Sequence, residues 1–307
     1  IPGVEAYLDD VVVTGQSLSD LRDNLQKVFE RFREYWVCLK ANKCSIGAQE
    51  IKFLGHLVDA DEIKILPKRV SAITEMAAPK SQKEIRRLLG MVNFARQFLP
   101  NFATVAKPLT SLLRKDAPFM WGTSQQKTFE KIISLVSKAP ILSHFDPNRR
   151  VVLQTDASSK GVGGALFVEL DDGRLHPVEF TSKAFDDRQA RWATSEQEVY
   201  AIFHCVNKWQ HYLSGTKFEI FTDHKNLVYL DTAQSAKLVR WRLALQSFDF
   251  EITHIPGVIN AVADGLSRLH APACIIQNDA CDEKNVITNI DSQPFPVAQG
   301  ITIVKRV

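Results

Sequence analysis

The residues best placed to do chemistry are acids. Asp156 closes the strand-like run VVLQTDAS, Asp223 closes KFEIFTDH, and Asp264 lies in NAVADGLSR behind Asn260, a plausible N-cap. A long helical stretch, Ser195 to Leu213, carries Glu196 and Glu198. Two residues apart, these point about 200° apart around a helix and cannot serve one site equally. Glu198 shares its face with Ile202, Cys205 and Trp209, while Glu196 points away. Any one of the four, Asp156, Glu198, Asp223 or Asp264, reads equally well as a surface residue or a cap. Together, at strand ends and on a core-facing helix, they are costly unless neutralised, and a pair of divalent cations is the economical answer. Mg²⁺ prefers oxygen ligands and keeps waters for a substrate phosphate. Two such ions about 3.5–4 Å apart can activate a water and stabilise the leaving oxygen of a phosphodiester. A second acidic feature, Asp9 and Asp10 in AYLDDVVV, sits between short apolar runs and is expected to occupy the tight turn of a hairpin.

These acids need elements to hold them. From Val151 onward the pattern is three consecutive strands (VVLQTDAS, VGGALFVEL, HPVEFTSK), the long helix, and the strand KFEIFTDH. A helix over residues 236–246, the strand FDFEITHI and the short helix NAVADGLSR follow. That order predicts an α/β layer with a mixed sheet and flanking helices. Before it, SLSDLRDNLQKVFERFREYW is amphipathic, with Ser17 and Asp20 as a capping-box variant and a stripe of Leu18, Leu21, Leu25, Val28, Phe29 and Phe32. EIKFLGHLVDADEIKIL reads as two short strands around DADE. A helix is expected over residues 124–138, then APILSHFDPNRR as a tether of turn residues. From Pro272 on no clear periodicity remains, and the stretch reads as linker.

At 307 residues the chain suggests two or more compact units, and its net charge of +3 hides an uneven distribution. Between Lys64 and Lys115 eleven Lys or Arg face two acids, Glu75 and Glu84, a local excess of +9 that suits a polyanion. Ile85, Leu88, Leu89, Val92, Phe98 and Phe102 form a core stripe there, leaving Lys83, Arg86, Arg87 and Arg96 outside it. No run of about 18 apolar residues exists, so no membrane span is expected. The five cysteines are scattered, which fits a reducing, cytoplasmic compartment better than a disulfide framework.

In their joint order, TDASSKGVGGALF, SEQEVYAI, FTDHKNL and NAVADGLSR resemble the ribonuclease H domain of gypsy-type LTR retrotransposons. Upstream, YLDDVVV, LKANKCSIGAQEIKFLGH, LLGMVNFARQFLPNF, AKPLTSLL and FMWGTSQQKTFEKI resemble the end of the same polyproteins' reverse transcriptase. The resemblance covers roughly residues 1–270. It implies a partial reverse-transcriptase palm (1–66), a helical thumb (67–118), a connection or tether (119–148), a ribonuclease H domain (149–270) and a linker toward an integrase-like region (271–307). It makes Asp156, Glu198, Asp223 and Asp264 the metal-binding carboxylates, with two Mg²⁺ per site and Mn²⁺ as the alternative. Asp9 and Asp10 become the palm pair, catalytic and metal-binding, with Tyr7 beside the primer terminus. Phe53, Leu54, Gly55 and His56 resemble the hairpin that grips the primer strand. The thumb would carry Lys83, Arg86, Arg87 and Arg96, with Gly90 to Asn93 tracking the minor groove of a duplex. The implied partners are an RNA–DNA hybrid, a template–primer duplex and the other polyprotein domains, inside a virus-like particle in the parent element; a homo-oligomer is left open.

The sequence departs from the family in places. The palm needs a further Asp on an upstream strand together with the nucleotide-binding fingers, and neither lies in these residues. Glu62 stands where the family usually has Gly, which would reshape that hairpin. His254 stands six residues before Asn260 and reads as structural, and Cys274 and Cys281 make no zinc pattern with His270. Three readings follow: a polyprotein segment whose ribonuclease H unit degrades the RNA of hybrids, a complete polymerase, which the absent palm Asp opposes, and a non-catalytic nucleic-acid-binding remnant.

Overall fold

The computed structural model describes residues 1–115, 117–223 and 236–255, and the backbone of residues 301–305. It divides into two compact units, Ile1–Leu66 with Ile276–Val307, and Pro67–Ile275.

The first unit begins with the hairpin of β1 (Val4–Tyr7) and β2 (Asp10–Thr14), antiparallel with Tyr7 opposite Asp10. Its two-residue turn is Leu8–Asp9, not the Asp pair as expected, and Asp10 is already the first residue of β2. Leu8 has φ 53°, in the left-handed region that short hairpin turns demand. Helix α1 (Leu18–Glu34) starts as the sequence predicts: the Ser17 hydroxyl accepts from the Asp20 N–H, and Asp20 accepts from the Gln16 N–H. Leu21, Leu25 and Val28 bury against Val13, while Leu18 and Phe29 stay exposed, so the apolar stripe is narrower than expected. Val12, on the opposite face of β2, packs with Ile51, as the period of two requires. Then come β3 (Ser45–Ala48), β4 (Ile51–Phe53), β5 (His56–Val58) and β6 (Glu62–Ile65). The expected two strands around DADE are three, because Leu54 and Gly55 both take positive φ and turn β4 into β5. Glu62 does not need positive φ; it pairs with Lys64, and the Asp59 carboxylate closes the turn by accepting from the Asp61 and Glu62 N–H groups.

The second unit opens with α2 (Pro67–Thr74), α3 (Gln82–Phe94), α4 (Phe102–Val105), α5 (Lys107–Ser111) and α6 (Thr123–Ser137). Ile85, Leu88, Val92, Phe98 and Phe102 are buried, as their spacing predicts. The expected tether contains β7 (Leu142–Ser143), and both of its residues are buried. It is anchored further by Phe145, whose ring centroid lies 4.8 Å from that of Tyr212. The mixed sheet follows: β8 (Val151–Ser158), β9 (Gly161–Glu169), β10 (Leu175–Ala184), α7 (Thr194–Lys208), α8 (Gln210–Leu213), β11 (Lys217–Thr222), α9 (Ala236–Leu245) and β12 (Asp249–His254). The strand order is β10-β9-β8-β11-β12, with β8 to β10 antiparallel and β11 parallel to both neighbours. The expected long helix breaks at Trp209, so α8 is a separate turn. Ile202, Cys205 and Trp209 press α7 onto Leu153, Leu166 and Ile220. The opposite face receives the 96–107 segment: the Ala103 N–H donates to the Ser182 hydroxyl, and Arg96 Nη2 donates to the Ser182 carbonyl at 2.6 Å. The expected helix NAVADGLSR lies outside the described residues.

The C-terminal stretch, read as linker, contains a strand. β13 (Ile301–Lys305) lies in the first unit's sheet, whose order is β1-β2-β13-β3. Ile301, Thr302, Ile303 and Val304 are all β-branched, which favours a pleated surface. Four such residues are too few to reveal a period.

Candidate active site

Strands β8 and β11 pair only as far as Gln154 and Phe221. Beyond that point β8 stays with β9, ending with Ser158 opposite Gly161, and β11 stays with β12, ending with Thr222 opposite His254. The sheet opens into a fork at a topological switch point, where open α/β sheets bind ligands. Asp156 and Asp223 each lie two residues past the last β8–β11 pair, one on each prong. At the other end Arg150 holds the strands together, its guanidinium bidentate to Glu219 at 2.7 and 2.9 Å.

Helix α7 brings Glu198 to the fork. Carboxylate oxygens of Asp156, Glu198 and Asp223 lie within 4.8 Å of one another. Glu198 is 4% exposed, accepts from the Ala157 N–H, and keeps a buried Oε2 that has no hydrogen-bond partner among the described residues. Burial, reinforced by the charges of Asp156 and Asp223, pushes its pKa up to about 8. An all-oxygen donor set with one orphaned buried oxygen fits a hard divalent cation. Asp264 lies outside the described residues. Glu196 points away as expected and pairs with Lys237 at 3.2 Å. The His254 ring meets the Asp223 carbonyl at 3.1 Å; with the proton on Nε2 it donates there and holds the end of β11.

A family model described as "RNase H-like domain found in reverse transcriptase" matches residues 146–248. A second, "Reverse transcriptase (RNA-dependent DNA polymerase)", matches residues 3–58. The Tf2-3 and Tf2-7 transposon polyproteins of Schizosaccharomyces pombe are 33% and 32% identical over 272 residues, 87% of this chain. The chain belongs with the reverse transcriptase and RNase H-like segments of retrotransposon polyproteins. It spans 20% of the length of those relatives. A foamy viral protease-reverse transcriptase dRH in complex with ds DNA shares the fold at TM-score 0.71 and 23% identity, over 83% of this chain and 46% of that one. The foamy viral protease-reverse transcriptase in complex with RNA/DNA hybrid does so at TM-score 0.68 and 21% identity, over 96% of this chain and 39% of that one.

The reverse transcriptase segment presents its expected residues differently. Asp9 is exposed in the turn, Asp10 is half-buried, and Tyr7 is 54% exposed. Among the described residues no third acid, His or Cys joins this pair; the single such group is the one at the fork. Phe53 and His56 face each other across the Leu54–Gly55 turn. Lys83, Arg86, Arg87, Gly90 and Asn93 follow helical spacing along one exposed face of α3. A Cβ added at Gly90 would meet nothing within 4 Å, so packing does not require a glycine there. Arg96 stands apart from that face, since its guanidinium is bound to the Ser182 carbonyl.

One residue near the site escaped the sequence reading. Asn101, at φ 51°, lays its side chain over Gly163, where an added Cβ would lie 1.9 Å from Asn101 Oδ1. Gly163 is registered directly opposite Asp156, so Asn101 braces the strand pair that carries the first carboxylate. The signal was present as Pro-Asn, a turn dipeptide, and as the GVGG run. Nothing in the sequence joins the two.

Proposed function

We propose that the second unit hydrolyses the RNA strand of RNA–DNA hybrids with bound Mg²⁺, Mn²⁺ being the alternative. The observation that carries this reading is the gathering of Asp156, Glu198 and Asp223 at the fork, with a buried Glu198 oxygen that has no hydrogen-bond partner among the described residues. Asp156 and Asp223 would hold the cations from the two strands and Glu198 would hold them from α7, with Asp264 proposed as the fourth ligand. Bound there, divalent cations would supply an activated water and neutralise charge on the cleaved phosphodiester. The chain's own part is to hold four carboxylates in one place and to dock the duplex. Lys83, Arg86 and Arg87 meet backbone phosphates without reading bases, and Gly90 lets the duplex approach α3 closely. Asp9, Asp10 and Tyr7, with the hairpin Phe53–His56, serve RNA-directed DNA synthesis in the full polyprotein.

The relatives named above include a reverse transcriptase solved with an RNA/DNA hybrid, which supports a hybrid as the partner. The test is a hybrid labelled on its RNA strand, incubated with the chain and Mg²⁺. Cleavage of the RNA strand alone, stopped by chelator, is expected. An intact RNA strand, or equal cleavage of the DNA strand, would overturn the reading.

A further inference from the structure

Strand β2 has no free edge. β1 pairs with it on one side, from Val4 opposite Val13 to Tyr7 opposite Asp10. On the other side β13 pairs with it over its whole length, from Ile301 opposite Thr14 to Lys305 opposite Asp10. The second edge of β13 meets β3, at Ile301–Ala48 and Ile303–Ser45, with a register shift between them. Five residues from the far end of the chain thus lie between two strands that are neighbours in sequence. Without them β2 and β3 would each present an open edge, and β2 carries the run Val11, Val12, Val13. An exposed, β-branched edge of that kind invites pairing with any available strand.

We infer that the first unit's sheet contains a strand-accepting slot between β2 and β3, which the chain fills with its own segment Ile301–Lys305 and from which that segment can be exchanged. Main-chain hydrogen bonds to both edges supply the affinity, as in other strand-addition complexes. The β-branched composition of residues 301–304 favours an extended backbone. The register has a consequence for the Asp pair. Because β13 reaches Asp10 and β1 covers the other edge, any further strand that is to lie beside Asp10 must evict Ile301–Lys305.

Hydrogen exchange on the full chain, wild type and Ile303→Pro, tests this. Ile303 is registered against both Val12 and Ser45, and proline there removes a ladder N–H from the middle of the sheet. The amides of β2 and β3 that face β13 are expected to exchange at least about tenfold faster in Ile303→Pro, while those of β8 to β11 stay unchanged. A synthetic peptide of residues 299–307, added to Ile303→Pro, is expected to restore protection, and the same peptide carrying the proline is not. Unchanged protection in Ile303→Pro, or no restoration by the wild-type peptide, would overturn the inference. Restoration by both peptides would overturn it too.

Discussion

The two acidic features of this chain sit in opposite settings. Asp9 and Asp10 stand on a hairpin turn, one exposed and one half-buried, and no third acid joins them among the described residues. Asp156, Glu198 and Asp223 converge from two strands and a helix, and one of them is almost wholly buried. Strain follows a similar division. Of the described non-glycine residues at positive φ, Leu8, Trp36 and Leu54 belong to the first unit and Asn101 alone to the second. Leu8 and Leu54 are turn positions chosen for geometry, whereas Asn101 packs against β9, the strand paired with the one that carries Asp156. A motif can therefore be readable without being assembled, and burial with convergence separates the two cases.

The largest expected effect falls on the fork. Glu198→Gln should lower hybrid cleavage by more than about 100-fold, since even groups that only support a metal ligand are worth 10–100-fold. Asp10→Asn in the same assay should leave cleavage unchanged. Next is the brace behind Asp156. Gly163→Ala drives a methyl into Asn101 and should cost about 1–3 kcal/mol in urea denaturation. Adding Asn101→Gly, which keeps the left-handed backbone, should recover much of that loss.

A pH series probes the same contrast. The fold raises the Glu198 pKa from its ordinary 4.5 to about 8, so it favours the protonated carboxyl. That stabilisation is complete below about pH 4.5 and is lost as pH rises through about 8. Without divalent cations the second unit's melting temperature should therefore fall over that range. Added Mg²⁺ should raise it more at pH 8 than at pH 6, and Glu198→Gln should flatten the dependence. Smaller still, Gly90→Ala should stabilise α3 by up to about 1 kcal/mol yet weaken hybrid binding. Lys83→Ala should lower the slope of log affinity against log salt by about 1.

Much of the second unit is legible in the sequence, and for identifiable reasons. VVLQTDAS is a strand with the bounds its pattern predicts, and Glu198 is distinguished from Glu196 by helical periodicity alone. Both are local signals, each carried within a single element. What escaped is non-local. No window of sequence connects Asn101 to Gly163, or residues 301–305 to β2, because those contacts are set by which elements meet. Arg96 is instructive in another way. Composition groups it with the basic face of α3, but the chain leaves the helix just before it and turns its guanidinium to the Ser182 carbonyl.

The most direct test sets the two acidic features against each other in one preparation. Wild type, Asp156→Asn and Asp9→Asn are incubated with an RNA–DNA hybrid and Mg²⁺, and cleavage of the RNA strand is followed. The account predicts cleavage by wild type and Asp9→Asn and none above background by Asp156→Asn. Equal cleavage by wild type and Asp156→Asn would contradict it.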